Sequence, residues 1–112
     1  MKLITAIIQR KKLDAVTEAL AAKGVGGLTV SDVLGYGNQK GRREIFRGKE
    51  FNVDFIPKTR IDVIISAEDA EDIIETIAVA ARTGEIGDGK IWSTPLSGVV
   101  RVRTGEHGEE AI

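Results

Sequence analysis

The sequence predicts a two-layer α+β fold, a split β-α-β sheet of ferredoxin-like type with both helices on one face. Three observations predict it. Strand-like apolar stretches alternate with amphipathic helical ones in the order βαβ–loop–βαβ, and the two helices are of similar size at equivalent places in each half. At 112 residues and 42% hydrophobic content the chain is one domain with room for a modest core.

Leu3–Gln9 reads as the first strand. Leu3, Thr5 and Ile7 point one way and Ile4, Ala6 and Ile8 the other, so both faces are largely apolar and the strand is central. Helical spacing follows the basic turn, with Leu13, Val16 and Leu20 on one face and Gly24 as a stop. Gly24, Gly26 and Gly27 make a turn before Leu28–Leu34, a second strand that Gly35-Tyr36-Gly37 breaks. From Asn38 to about Phe55 neither period holds, and the stretch exceeds the roughly 12–15 residues of an idle loop, which marks it as functional or mobile. Thr59–Ile65 alternates, with Ile61, Val63 and Ile65 on one face. Ser66-Ala67-Glu68-Asp69 matches a capping box, and Ala70, Ile73, Ile74, Ile77 and Ala81 form the stripe of a second helix. Arg82 is expected in its last turn and Gly84 at its end. After the glycine-rich Gly84–Lys90, Ile91-Trp92 and a Pro95 break, Val99–Arg103 is expected as the last strand, and Gly105–Ile112 as a loose polar tail. The sheet face away from the helices would carry Leu3, Thr5, Ile7, Asp62 and Ile64; a mixed apolar face left bare on so small a domain points to self-association.

Composition excludes several functions. With 16 basic and 17 acidic residues the chain is neither a disordered tail nor a polycation. Without cysteine there are no disulfides, thiolate metal sites or Cys nucleophiles. No apolar run approaches the roughly 20 residues that span a bilayer, and Leu3–Ile8, followed by Gln9-Arg10-Lys11-Lys12, does not suit a signal peptide. The expected location is the cytoplasm. The one histidine, His107, and the carboxylate pairs Glu71-Asp72 and Glu109-Glu110 read as solvated composition, and no nucleophile–base pair can be assembled. A ligand-binding module is favoured over an enzyme.

Three features carry candidate chemistry. The first is glycine, 13 residues mostly grouped in turns, where bare amides make concave anion sites. Thr83-Gly-Glu-Ile-Gly-Asp-Gly-Lys90 is the best candidate because Lys90 supplies a point charge. It lacks the Walker spacing, and Gly35–Gly41 misses G-x-G-x-x-G by one place. Turn glycines without a ligand explain the same spacing equally well. The second is Arg101 with Arg103, which as strand residues at i and i+2 would share a face and suit phosphate oxygens. An ordinary solvent face with rim salt bridges is the commoner reading of such a pair; joined to the upstream Gly-Asp-Gly-Lys turn, it favours a polyphosphate. The third is the long loop. Asn38–Arg60 holds seven basic residues (Lys40, Arg42, Arg43, Arg47, Lys49, Lys58, Arg60) against three acids (Glu44, Glu50, Asp54), a net +4 in a chain of net −1. Interleaved Phe46, Phe51 and Phe55 suit nucleic acid in principle. The rest of the chain gives no flanking basic patch, so a protrusion that docks into another protein is preferred.

Four stretches resemble the nitrogen regulatory P-II signalling family in spacing and order: Thr83-Gly-Glu-Ile-Gly-Asp-Gly-Lys-Ile-Trp92, Arg101-Val-Arg-Thr-Gly-Glu106, Gly35-Tyr-Gly-x-Gln-Lys-Gly41 and Val53-Asp-Phe-Ile-Pro-Lys58. The similarity runs without a gap from Met1 to Ile112. It implies a compact homotrimer with ATP or ADP in the clefts between subunits, and 2-oxoglutarate joining through Mg–ATP. By position, Gly87, Asp88, Gly89, Lys90, Arg101 and Arg103 would hold the phosphates, with Asn38 beside them. Ile7, Leu28, Thr29, Gly35, Gly37 and Ile64 would line the adenine and ribose pocket. Gln39 would complete Mg²⁺ coordination, and Gln39, Lys40, Gly41, Lys58 and Gly87 would hold 2-oxoglutarate, Lys58 by pairing a carboxylate. The 38–55 stretch corresponds to the protruding T-loop that binds targets, with Arg47, Lys49 and Phe51 as contact residues; Arg47 matches the residue that plugs an ammonium transporter pore in family members. The membrane would be reached only through such a transporter.

The chain departs from the family pattern in places. Phe51 stands where a tyrosine receives a nucleotidyl group, and Lys49 where some relatives carry a phosphorylated serine, so no covalent switching is expected there. Asn38 and Glu85 replace a common arginine and lysine, which would weaken nucleotide binding. Two other readings stand beside the sensor: a divergent regulator of another transporter, such as one for bicarbonate, without a 2-oxoglutarate response, and a small nucleotide-using enzyme on the same fold. Gln39 and Lys58 argue against the first, the missing internal histidine against a phosphohistidine form of the second.

Overall fold

A computed structural model describes residues 1–37 and 55–112 in full and, between them, the backbone of strands at 43–46 and 49–52. The elements are β1 (Lys2–Ile8), α1 (Leu13–Ala22), β2 (Thr29–Gly35), β3 (Arg43–Phe46), β4 (Lys49–Asn52), β5 (Ile56–Ile65), α2 (Ala70–Ala81) and β6 (Gly89–Pro95). The main sheet has the order β2-β5-β1-β6 with every neighbour antiparallel, so each half contributes one inner and one outer strand. This is the ferredoxin-like βαββαβ arrangement predicted from the pattern.

Period explains each face. Ile4, Ala6 and Ile8 of β1 and Ile61 and Val63 of β5 alternate onto one side, where Val16 and Leu20 of α1 and Ile73, Ile77 and Ala81 of α2 bury them. Both helices therefore cover one face. Truncating a fully buried member such as Leu20 or Ile77 to alanine costs about 2–5 kcal/mol. The register places Leu3 opposite Ile64, Thr5 opposite Asp62 and Ile7 opposite Arg60 on the uncovered face. There Thr5 Oγ1 donates to Asp62 Oδ1 at 2.7 Å and Arg60 Nε to Asp62 Oδ2 at 2.9 Å. The Arg60 hydrogen bond holds the Asp62 carboxyl below its ordinary pKa. Ile64 and Trp92 remain 37% and 44% exposed on this face.

The structure corrects several expectations. The fourth strand of the main sheet is Gly89–Pro95, not Val99–Arg103. Lys90-Ile91-Trp92 is the β-prone segment and pairs with β1 up to Pro95, which ends the ladder. Val99–Arg103 instead turns back on itself: Arg101 N–H donates to the Glu106 carbonyl at 2.9 Å and Gly105 N–H to that of Arg101 at 2.8 Å. A positive φ of 83° at Gly105 permits this reversal. The tail is not loose, since Val100 bridges His107 and Gly108–Ala111 forms a 3₁₀ turn. No Ser66 capping box forms; a 3₁₀ turn at Ala67–Asp69 precedes α2, and the Ser66 hydroxyl bonds the Glu109 carboxylate instead. Arg82 leaves the helix with extended backbone. The second strand starts and ends one residue later than its pattern suggests. The stretch read as lacking any period contains the antiparallel β3–β4 pair, with Phe46 opposite Lys49. Its missed signal in the sequence was Arg-Gly between Phe46 and Lys49.

Candidate functional site

One end of the sheet gathers the ends of β1, β2 and β5 and the turn before β6. A cleft of about 470 Å³ opens there, lined by Ile7, Gly35, Gly37, Lys58, Gly87, Asp88, Gly89 and Lys90, all candidates from the sequence, with Tyr36, Glu85, Ile86 and Trp92 beside them. The antiparallel register explains the gathering, because Ile8 pairs with both Thr59 and Gly89, and Gly35 with Ile56. Gly89 has φ 103°, and a Cβ there would lie 1.7 Å from the Ile7 carbonyl oxygen. The turn can enter β6 this close to β1 only without a side chain.

Asp88 organises that turn. Its carboxylate accepts from Thr83 N–H at 2.8 Å, Thr83 Oγ1 at 2.5 Å, Gly84 N–H at 2.8 Å and Gln9 Nε2 at 2.9 Å. These bonds, led by the Thr83 hydroxyl, pull its pKa down to about 2. The sequence pointed to Asp88 as a phosphate residue; its oxygens are occupied in holding the loop, which also avoids aiming a carboxylate at an anion. Gln9 was missed, and so was the bonding of Thr83 to Asp88 within the candidate turn. The signal available was a Thr-Gly pair four to five residues before an acid, a side-chain-to-backbone turn pattern. Nothing in sequence marks Gln9, which is brought in by the β1–β6 pairing.

Lys58 is buried by its stem and donates from Nζ to the Gly87 carbonyl at 2.7 Å. Burial lowers its pKa below the ordinary lysine value, and the nearby Asp88 carboxylate opposes that shift. Lys58 and Lys90 thus line one cleft together with Gly87 and Gly89 of the turn. Such a lining suits a polyanion. Glu85 also lines it, in keeping with the expected loss of positive charge there.

The remaining candidates lie elsewhere. Leu28, Thr29 and Ile64 line a second cleft of about 580 Å³ with Asp62, Ala111 and Ile112, and the two clefts share no lining residue. Arg101 and Arg103 line neither. The turn at 102–104 removes the strand alternation that would have set their guanidiniums side by side. Asn38, Gln39, Lys40, Gly41 and Arg47 fall outside the described residues, as do the side chains of Lys49 and Phe51. Among the described residues no group of three or more histidine or acidic side chains could hold a metal ion, and no helix is long and apolar enough to cross a membrane.

The family model described as nitrogen regulatory protein P-II matches residues 1–106. The chain belongs to the P-II family. It is 51% identical over 112 residues to nitrogen regulatory protein P-II 1 of Methanothermobacter thermautotrophicus, covering all of this chain and 97% of that one. It is 49% identical to nitrogen regulatory protein GlnK of Escherichia coli and 51% to nitrogen regulatory protein P-II of Rhizobium meliloti, each over the full length of both chains. This P-II chain is a nitrogen regulatory signalling protein, not an enzyme. The resemblance read from four motifs was therefore sound, and the glycine turn and its cleft belong to a regulator.

Proposed function

We propose that this P-II chain senses ATP or ADP together with 2-oxoglutarate, and regulates nitrogen assimilation in the cytoplasm by binding target proteins, such as an ammonium transporter, through its 38–55 loop. The observation that carries the reading is the single cleft uniting Lys58, Lys90 and the Asp88-knotted glycine turn, a preorganised polyphosphate cradle. Gln39 would add the Mg²⁺ that ATP brings, and Lys58, with Gln39, Lys40, Gly41 and Gly87, would take the oxoacid. Lys58 and Gln39 flank the loop, so effector binding there has a short path to loop conformation.

The working unit is a homotrimer. On one chain the candidate residues divide between two clefts that share no residue, and a heterologous contact that closes a ring would set one cleft against the other of a neighbour. The uncovered sheet face, with Ile64 and Trp92 exposed, supplies apolar surface for that contact.

Calorimetry tests the reading. The expected result is ATP binding in the presence of Mg²⁺, with 2-oxoglutarate binding to the ATP-loaded protein and not to the bare one. No nucleotide binding with Mg²⁺ present would end it. Because residue 51 is phenylalanine, intact mass after nitrogen starvation should be unchanged; a nucleotidyl adduct on the loop would contradict this.

A further inference from the structure

Arg101 is not idle in this fold. Its Nη2 donates to the main-chain oxygen of Glu110 at 3.0 Å and to that of Ile112 at 3.3 Å, while Nη1 lies 3.7 Å from the Glu106 carboxylate. A guanidinium grips a phosphate with two bonds either side-on, through Nε and Nη2, or end-on, through Nη1 and Nη2. Both grips need Nη2, and both Nη2 hydrogens are committed to the tail. The same tail turn is fastened independently: Gly108 N–H donates to the Val99 carbonyl at 2.9 Å, and the Glu109 carboxylate accepts from the Ser66 hydroxyl at the β5–α2 junction. Ala111 and Ile112 then stand in the wall of the cleft that holds Leu28, Thr29 and Ile64.

We propose that the turn at Gly108–Ala111 is a strap that competes with the phosphate ligand for Arg101, closed over that side chain as in this structure and released when a phosphate takes its Nη2 edge. The proposal rests on the nucleotide reading above. Its consequence is a conformational cost on binding: apparent affinity is reduced by the fraction of chains in which the strap is closed. The partly exposed bond from Arg101 Nη2 to the Glu110 carbonyl is the weak point, since that acceptor is neutral and a phosphate is charged.

Hydrogen exchange on the full chain, read at the peptide covering 106–112, tests the strap, with ATP–Mg²⁺ and separately inorganic tripolyphosphate as probes. The expected result is faster exchange at the Gly108 and Ile112 amides once either probe is bound. Ser66→Ala, which removes one fastening and touches neither cleft, should raise nucleotide affinity about two- to tenfold while the melting temperature of the core stays put. Calorimetric binding with unchanged or slower tail exchange would overturn the strap and leave the sensor reading intact, as would an unchanged or weaker affinity in Ser66→Ala. Absence of binding by either probe would overturn both.

Discussion

Two loops carry the candidate anion chemistry, and they are built in opposite ways. The turn between α2 and β6 is knotted from within: Asp88 satisfies the amides of Thr83 and Gly84, Gln9 ties it to β1, and Gly87, Gly89 and Lys90 line a cleft. The Arg101–Ile112 segment is folded onto itself, and its tail accepts twice from Arg101 Nη2. On the proposed reading the first is a preformed cradle and the second must be opened. A site assembled from both would owe its rigidity to one loop and its responsiveness to the other.

The largest contrast should come from glycine. Gly89→Ala drives a Cβ into the Ile7 carbonyl at positive φ and should cost about 3 kcal/mol or more, with loss of nucleotide binding. Gly105→Ala, also at positive φ but with open space around it, should cost only about 1–2 kcal/mol. Urea unfolding of the two variants measures the difference, and equal costs would break the comparison. Charge comes next. Lys90→Ala should weaken ATP by roughly tenfold or more, the value of one charge-assisted bond, whereas Arg101→Ala should cost less because the wild-type side chain first gives up its tail carbonyls. Calorimetry at fixed salt ranks the two. The smallest effect is on pH. The folded Asp88 pKa, about 2, lies below that of the unfolded carboxyl, so its stabilisation is full above about pH 4 and disappears as pH falls through 2. The melting-temperature gap between wild type and Asp88→Asn should accordingly close between pH 5 and pH 2; a gap constant over that range would deny Asp88 its knotting role.

The sheet and both helices were legible because burial imposes a period: Ile4-Ala6-Ile8 and Ile61-Val63 can face only one layer, and Ile73, Ile77 and Ala81 only one stripe. The glycine turn was legible as a turn, and its cleft partners followed once antiparallel register brought Gly35, Lys58 and Gly89 to one end. The C-terminal quarter was not. Val99–Arg103 alternates like a strand, yet Pro95 has already ended the ladder on β1, and nothing local shows that Arg101 will bond Glu106 and the tail. Ser66 misled for a related reason: its hydroxyl has a distant competitor, Glu109, which no short-range motif reveals.

Mixing two defective variants tests most directly whether the site is shared between copies. Lys90→Glu spoils the turn-side cleft and Arg101→Glu the opposite segment. Each alone should fail to bind ATP. Co-refolded in equal amounts, they should recover binding at about a quarter of the interfaces, those where an intact turn meets an intact Arg101 segment. Recovery to that level supports a pocket built by neighbouring chains; a mixture as silent as its parts would place the whole site on one chain and contradict the account.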